Sequence, residues 1–307
     1  MSEFYVKNKY LIEEKEWKQI INSLKTNESL ADPKKAHNTV KKLIKKAIKE
    51  RIPKEPFGIL FSGGLDSALI ALICKQLKAD FICYSVGFYD QGQKYPVDLI
   101  FAKKLAEEID VELKMIVLDF KESEKIIKKI VKILKGDQNN VTNVGVGTVL
   151  MAALEAAKKD NINILFSGLG AEELFAGYER HIGYDKKDYS KVQEECWKGL
   201  LGMYQRDFIR DISIAEQFKA ELQTPFLDMD LIKEAMKIPA KLKINKQYKK
   251  LILREVAENI GLPKEYAWRK KLAAQYGART TKAVQKLARK AGFRYKKDYL
   301  KSLERST

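Results

Sequence analysis

The sequence predicts an α/β protein: a parallel sheet of about five strands covered by helices on both faces, continued by a helical C-terminal part. Three observations carry that expectation. Four short runs are apolar throughout, namely "FGILF" (57–61), "DFICYSVGF" (80–88), "LKMIVLDF" (113–120) and "INILFSG" (162–168). Helical patterns separate them, and strands buried on both faces of a parallel sheet read as continuous apolar runs rather than alternating ones. From about residue 185 onward helical periodicity dominates, broken by turns at "TPFLD", "IPAKLK" and "GLPKE".

Residues 4–24 combine a strand-like "FYVKNKYLI" with a short helix, and "ESLADPKK" reads as a loop. Between Ala36 and Ile52 the apolar Val40, Leu43, Ile44, Ala47 and Ile48 recur at three and four, which predicts an amphipathic helix that "RIPKEP" ends. After the first apolar strand a helix is expected over Leu69–Leu77. Beyond the second strand, Val97, Ile100, Phe101, Leu105 and Ile109 mark the inner face of another helix. The third strand leads into a basic helix near 121–135, a loop "GDQNNVTNVGVG" over 136–147 and a helix near 148–158. These elements divide the chain into an N-terminal extension (1–54), an α/β core (55–185) and a helical part (186–307) that ends in a basic tail.

The 307 residues are 45% apolar, enough for a sizeable core. No run of eighteen apolar residues predicts a membrane span, and "MSEFYVKNKYLIEEKEWK" lacks a basic-then-apolar leader pattern, so a cytoplasmic protein is expected. Cys74, Cys83 and Cys196 form no CxxC pair, and with two histidines a Cys/His metal site is not expected. Cys74 and Cys83 lie in apolar segments and read as small core residues. Net charge is +17, and residues 264–307 hold fourteen Lys/Arg against three Asp/Glu, so about +11 of it sits there. Such an end suits a polyanion such as RNA, with a solvated Lys-rich surface as the bland alternative.

The chemistry concentrates at the tip of the first core strand, "SGGLDS" (62–67). In a parallel sheet, ligands bind outside the carboxyl ends of the strands. Gly63 and Gly64 let the backbone approach a ligand, and the following helix presents free N–H groups, so the tip forms a nest for phosphate. Ser62 and Ser67 add hydroxyl donors. Asp66 would repel a phosphate unless a cation lay between them, so it implies Mg²⁺. No lysine follows the second glycine, which excludes the Walker pattern.

"SGGLDS" resembles the PP-loop of ATP pyrophosphatases, and residues 36–280 resemble the synthetase half of asparagine synthetase. "YSVGF" is similar to the segment that holds adenine, and Asp98 with Ala102 fits the helix after it. "LFSGLGAEELFAGYERH" (165–181) resembles the family's second signature loop, "TPFLD" its PFLD motif, and "KKLILRE" with "GLPKEYAWRKK" its C-terminal Lys-and-Arg block. The resemblance implies ATP and Mg²⁺ as cofactors and cleavage of ATP between its α and β phosphates. A small carboxylate or amino acid would be activated as an acyl-adenylate, then attacked by an amine or ammonia. It implies nucleotide contacts at Ser62, Gly63, Gly64, Leu65, Asp66, Ser67, Val86, Gly87, Ser167 and Gly168. Metal contacts fall to Asp66 and Glu172, the latter standing where the family usually has Asp. Lys271, Glu172 and Lys250 are the implied catalytic residues: Lys271 neutralises charge on the pyrophosphate, and Lys250 with Arg254 supports that basic wall.

Three departures set the chain apart. Leu169 stands where amide-forming members carry a Glu associated with the incoming amine, which leaves Glu173 as the nearest candidate base. Gln223 stands where an Arg usually precedes PFLD. The chain starts Met1-Ser2, without the N-terminal cysteine and glutaminase half, so ammonia would come from free ammonium or a separate partner. "GLGAEELFAGYERH" and "KKLAAQYGART" are most similar to the divergent asparagine synthetase domain-containing branch. The expected function is therefore an AMP-forming ligase or amide synthetase that is not an efficient asparagine synthetase. The alternatives are a PP-loop tRNA-modifying enzyme that binds RNA through the basic C-terminal region, or a nucleotide-binding partner subunit without amide chemistry. A homodimer is compatible with any of these.

Overall fold

The computed structural model describes residues 3–8, 10–91, 94–181, 189–270 and 274–305. A two-stranded hairpin, β1 (Val6–Lys7) and β2 (Tyr10–Leu11), opens the chain and is followed by helices α1 (Glu14–Ser23) and α2 (Pro33–Arg51). Asp32 caps α2 through its carboxylate, which accepts from the Lys35 N–H, and Pro33 fits the first turn, where no backbone donor is needed.

Strands β3 (Phe57–Leu60), β4 (Phe81–Phe88), β5 (Leu113–Leu118), β6 (Ile164–Phe166) and β7 (Glu221–Gln223) form one parallel sheet in the order β5-β4-β3-β6-β7. The fifth strand, β7, comes from the "ELQ" that precedes the "TPFLD" turn, after the helical pattern has set in. Its pairing with β6 is short: Ile164 with Glu221, Leu165 with Leu222, Phe166 with Gln223. The crossover helices are α3 (Leu65–Gln76), α4 (Val97–Glu108), α5 (Phe120–Ile133) and α6 (Val141–Lys159). The chain moves outward from β3 through β4 to β5, then returns to the other side of β3 as β6. That reversal is the topological switch point, where the two loops diverging from neighbouring strand ends leave a crevice.

The segment 136–147 is not the loop the glycines predict. A single 3₁₀ turn (Gly136–Gln138) precedes α6, which begins at Val141. The Asn140 side chain caps it, accepting from the Thr142 and Asn143 N–H groups. The glycines serve packing instead: a Cβ on Gly147 would lie 2.9 Å from Ile214 Cδ1, and Gly145 O accepts from Thr280 Oγ1 at 2.8 Å.

The remaining helices are α7 (Ala171–Leu174), α8 (Tyr189–Met203), α9 (Ile209–Glu216), α10 (Met229–Lys237), α11 (Leu251–Ile260), α12 (Lys264–Ala267), α13 (Ala274–Gly277), α14 (Thr280–Lys290) and α15 (Lys296–Arg305). A π-turn over Tyr204–Phe208 joins α8 to α9. Two apolar cores flank the sheet. One gathers residues of α1, α2, α3, α10 and α11; the other gathers α5, α6, α14 and α15. Cys74, Cys83 and Cys196 are all buried free thiols, as small core residues would be. Among the described residues no helix is long and apolar enough to cross a membrane.

Candidate active site

The site lies at the switch point, where the β3 and β6 loops touch. Gly63 has φ +63, a conformation that suits glycine, and a Cβ there would sit 2.7 Å from Ala102 N. The glycine is thus demanded by α4 pressing on the loop. Gly64 caps α3 without a side-chain bond, which leaves the first-turn N–H groups facing the crevice. The Ser67 hydroxyl closes the turn, donating to Gly64 O at 3.2 Å and accepting from the Ser62 N–H at 3.3 Å. Leu65 is buried beneath the turn, so only its main chain can serve a ligand.

From the other side, Ser167 N donates to Gln223 O at 2.8 Å, which ties the end of β6 to β7. A Cβ on Gly168 would lie 2.8 Å from the Asp66 Cβ, so this glycine is what allows the two signature loops to meet. Gly170, at φ +97, leaves room for Leu227 of the PFLD turn. Glu172 then projects from the first turn of α7.

Lys250 joins the two loops. Its Nζ donates to Asp66 Oδ1 and Oδ2 at 2.8 and 2.7 Å and to Glu172 Oε1 at 2.8 Å. The residue is buried and sits in the left-handed conformation, φ +56, at the start of α11. Burial works against the ammonium, but the Asp66 and Glu172 carboxylates outweigh it and raise its pKa. Gly177 makes the channel for this side chain: a Cβ there would meet Lys250 Cε at 2.4 Å. Lys250 therefore bridges the two carboxylates instead of lining a separate basic wall. Arg254 is not on such a wall either. It donates to the main-chain oxygens of Lys249, Ala267 and Arg269, pinning the segment that leads to Lys271. Lys271 itself lies outside the described residues.

The two carboxylates fit a divalent cation. They converge on one positive nitrogen, which holds the place of a cation, and carboxylate oxygens are the ligands Mg²⁺ prefers. Among the described residues no group of three or more His, Cys, Asp or Glu could hold a metal unaided.

The expected adenine segment lies on β4, beyond the last pair that β3 makes. Phe61 N donates to Tyr84 O, and Phe88 N donates to Ala278 O. Alternation along the strand then turns the Val86 main-chain groups to the same side, above the end of β3. The Val86 side chain enters the core of α5 and α6, and Gly87 is held close by Pro96 and Leu99. Asp98 is buried beside Gly277, whose Cβ would fall 2.2 Å from its carboxylate.

Glu173 is not a base for this site. It is 1% exposed, and its Oε1 accepts from the Tyr178 hydroxyl and from Arg206 Nη2 at 2.5 Å. Burial pushes its carboxyl above the usual range against the opposing pull of Arg206. Leu169 is half-buried and packs on the α1–α3 core. Gln223 is buried; the adjacent Thr224 N–H donates to the Glu3 carboxylate at 2.7 Å, and Glu3 is paired with Arg51.

Two contributors lie inside the signature motifs, yet nothing local in sequence assigns them a role of their own. Arg269 Nη2 donates to Gly63 O at 3.1 Å while its guanidinium lies 4.0 Å over the Phe101 ring, so it braces the first loop from the C-terminal segment. Gly177, in the second signature loop, gains its role only from the path of Lys250.

Comparison with known proteins follows this geometry. The asparagine synthase family profile matches residues 39–185 and 184–301. The chain is 30% identical over 327 residues to a Methanocaldococcus jannaschii protein named "Putative asparagine synthetase [glutamine-hydrolyzing] 1", covering 94% of this chain and 59% of that one. It is 30% identical over 250 residues to the Homo sapiens protein named asparagine synthetase (glutamine-hydrolyzing), covering 80% and 44%. The chain thus spans about half the length of these relatives. Among solved structures it is similar to the NMN synthetase of Francisella tularensis, at a TM-score of 0.42 and 16% identity, covering 80% of this chain and 76% of that one.

Proposed function

Because the chain belongs to the asparagine synthase family, we propose that it is an AMP-forming ligase that activates a small carboxylate as an acyl-adenylate and passes it to an amine. The observation that carries this reading is the convergence of Asp66 and Glu172 on one cationic centre beside the Ser62–Ser67 turn. Asp66 and Glu172 would hold Mg²⁺, which supplies charge neutralisation on the phosphates when bound.

The chain's own parts then divide the work. The first-turn N–H groups of α3 and the Ser62 hydroxyl bind the polyphosphate, and Ser67 holds the turn through Gly64 O. The Val86 main chain reads the adenine edge. A carboxylate oxygen attacks the α-phosphorus and pyrophosphate leaves, its growing charge met by Lys271 while Lys250 holds the two carboxylates in place. The amine nitrogen then attacks the acyl carbon, AMP leaves, and the amine gives up a proton.

Leu169 offers no acceptor for that proton, and Glu173 is engaged with Tyr178 and Arg206. The reading is therefore a synthetase for which aspartate with ammonia is a poor substrate pair. The test is ATP–pyrophosphate exchange screened over amino acids and other small carboxylates, with nucleotide products separated by chromatography. AMP and pyrophosphate are expected; ADP and phosphate as stoichiometric products would refute it.

A further inference from the structure

The second basic feature of the molecule is not the tail alone but a ridge that α5 and α15 build together. On α5, Lys121, Lys125, Lys128 and Lys132 recur at four and three, and Lys135 follows in the extended segment just past its end. All five are exposed. They lie opposite the stripe of Ile126, Ile127, Ile130 and Val131 that enters the core, so the helix cannot turn this apolar face to a membrane. At 1.5 Å per residue the helical part of the row, Lys121 to Lys132, runs about 16 Å.

Helix α15 lies alongside in the same sense. Lys290, before it, sits 4.8 Å over the Phe120 ring at the start of α5, and Glu304 near its end accepts from Gly136 N at 3.0 Å. Lys297, Lys301 and Arg305 of α15 recur at four and are exposed. Acids are few on this face. Glu124 pairs with Lys128, Glu122 closes the capping box of α5, Glu304 is spent on Gly136 and Asn139, and the half-buried Asp298 lies beside Lys301 and Arg305. At the Phe120 end stands Tyr295, 52% exposed, with Arg294 at 5.2 Å and Lys297 at 6.0 Å from its ring.

We propose that this face binds RNA: the two basic rows follow a phosphate backbone, and Tyr295 receives an unpaired base. Parallel rows of exposed lysine and arginine satisfy the phosphates, while an exposed aromatic flanked by cations is a stacking platform of the kind used for single strands. The proposal is independent of the ligase reading, since no residue of the ridge belongs to the ATP site.

The test measures binding of a fluorescein-labelled 20-nucleotide single-stranded RNA by anisotropy over 50–200 mM KCl, using the full chain. The variant Lys121→Glu/Lys125→Glu/Lys132→Glu/Lys135→Glu is compared with a control of equal charge change on α2, Lys34→Glu/Lys35→Glu/Lys42→Glu/Lys49→Glu. The ridge variant should lose at least about 10-fold in affinity and lower the log–log salt slope by roughly 3, and the control should lose less than about 3-fold. Tyr295→Ala should weaken the single strand by about 5-fold or more and leave a 20-base-pair duplex unchanged. Circular dichroism verifies folding, and if charge reversal disturbs it, the same four lysines changed to Gln give the same comparison. Equal losses in both charge variants would overturn the proposal, as would no binding at 50 mM salt. So would tighter, ridge-dependent binding to phosphatidylserine vesicles than to RNA.

Discussion

Lys250 Nζ lies 2.7 Å from Asp66 Oδ2 across a sequence separation of 184 residues, and the same nitrogen holds Glu172. One internal cation thus neutralises the two carboxylates that would receive a metal. Replacing it with a neutral side chain of similar length should remove the cation that bridges two close acids. Breaking a buried pair costs about 3–5 kcal/mol, and the partial exposure of Asp66 and Glu172 lowers the expectation to about 1–3 kcal/mol for Lys250→Met. Mg²⁺ should restore much of that loss. Thermal unfolding with and without 5 mM MgCl₂ checks it: the variant should gain several degrees and the native protein little. Nucleotide-free Mn²⁺ binding, followed by electron paramagnetic resonance, should be tighter in the variant. No metal effect on either readout would show that this carboxylate pair does not hold a cation.

Asp66→Ala should remove Mg²⁺-dependent ATP binding, as read by calorimetry, and leave the far-ultraviolet spectrum unchanged. Asp66 is on the surface of the crevice, and the buried turn beneath it is held by Ser67 and Gly64. An unchanged affinity for Mg·ATP would rule out the assigned role of this residue.

Leu169 tests the second half-reaction. A general base contributes about 10²–10⁴-fold where one is used. Leu169→Glu should therefore raise amide formation by at least about 10-fold with aspartate, ATP, Mg²⁺ and ammonium, measured as asparagine produced. The loop can accept the change, because Leu169 is half-buried and Gly168 and Gly170 absorb the tight contacts around it. If ATP still binds but asparagine does not rise, the acyl pocket serves a different carboxylate.

Much of this site was legible because its chemistry is local in sequence. The turn 62–67 and the loop 165–173 are short stretches in which glycine, hydroxyl and acid stand at fixed spacing at the ends of apolar strands. The sheet was legible from the same runs, except β7, whose three residues are too few to show a period. What stayed hidden depends on contacts distant in sequence. Gly145 and Gly147 read as loop residues because only the approach of α9 and α14 explains them as helical. Glu173 reads as a free base because its burial is imposed by Arg206, which the π-turn delivers from 33 residues away. The bridge made by Lys250 likewise needs the fold to bring α11 under both loops.

Lys243 carries a cost that no motif announces. Its side chain is fully buried, and among the described residues its polar contacts are Gln193 Oε1 at 3.4 Å and Met236 Sδ at 3.9 Å, neither of them a carboxylate. Burial lowers its pKa to about 8. A lysine depressed below its unfolded value opposes folding fully at pH 7, and the penalty fades as pH rises from about 8 to 10.5. Lys243→Met, which keeps the length and removes the charge, should stabilise the protein by up to about 3 kcal/mol at pH 7. Urea unfolding should find this gain at pH 7 and little of it near pH 10.5. A destabilised variant at pH 7 would mean that the ammonium is satisfied by more than these two contacts.

His181 gives the opposite window. It is 2% exposed, and its Nδ1 accepts from the Tyr178 N–H, which a doubly protonated ring could not do. Burial lowers its pKa to about 4 from an ordinary 6.5. Above pH 6.5 the ring is neutral in both folded and unfolded chains and contributes no pH dependence. Between 6.5 and about 4 the unfolded chain takes up a proton that the folded one refuses, so stability falls as pH falls. Glu173, whose pKa is raised, works in the contrary direction over part of this range, so the absolute slope mixes the two. The difference between the native protein and His181→Gln separates them, because both contain Glu173. That difference should shift against the native protein by about 2–3 kcal/mol between pH 7.5 and 4.5, as read from urea unfolding free energies at each pH. A difference that stays constant with pH would mean that His181 titrates alike in both states, and that the Tyr178 bond does not depend on a neutral ring.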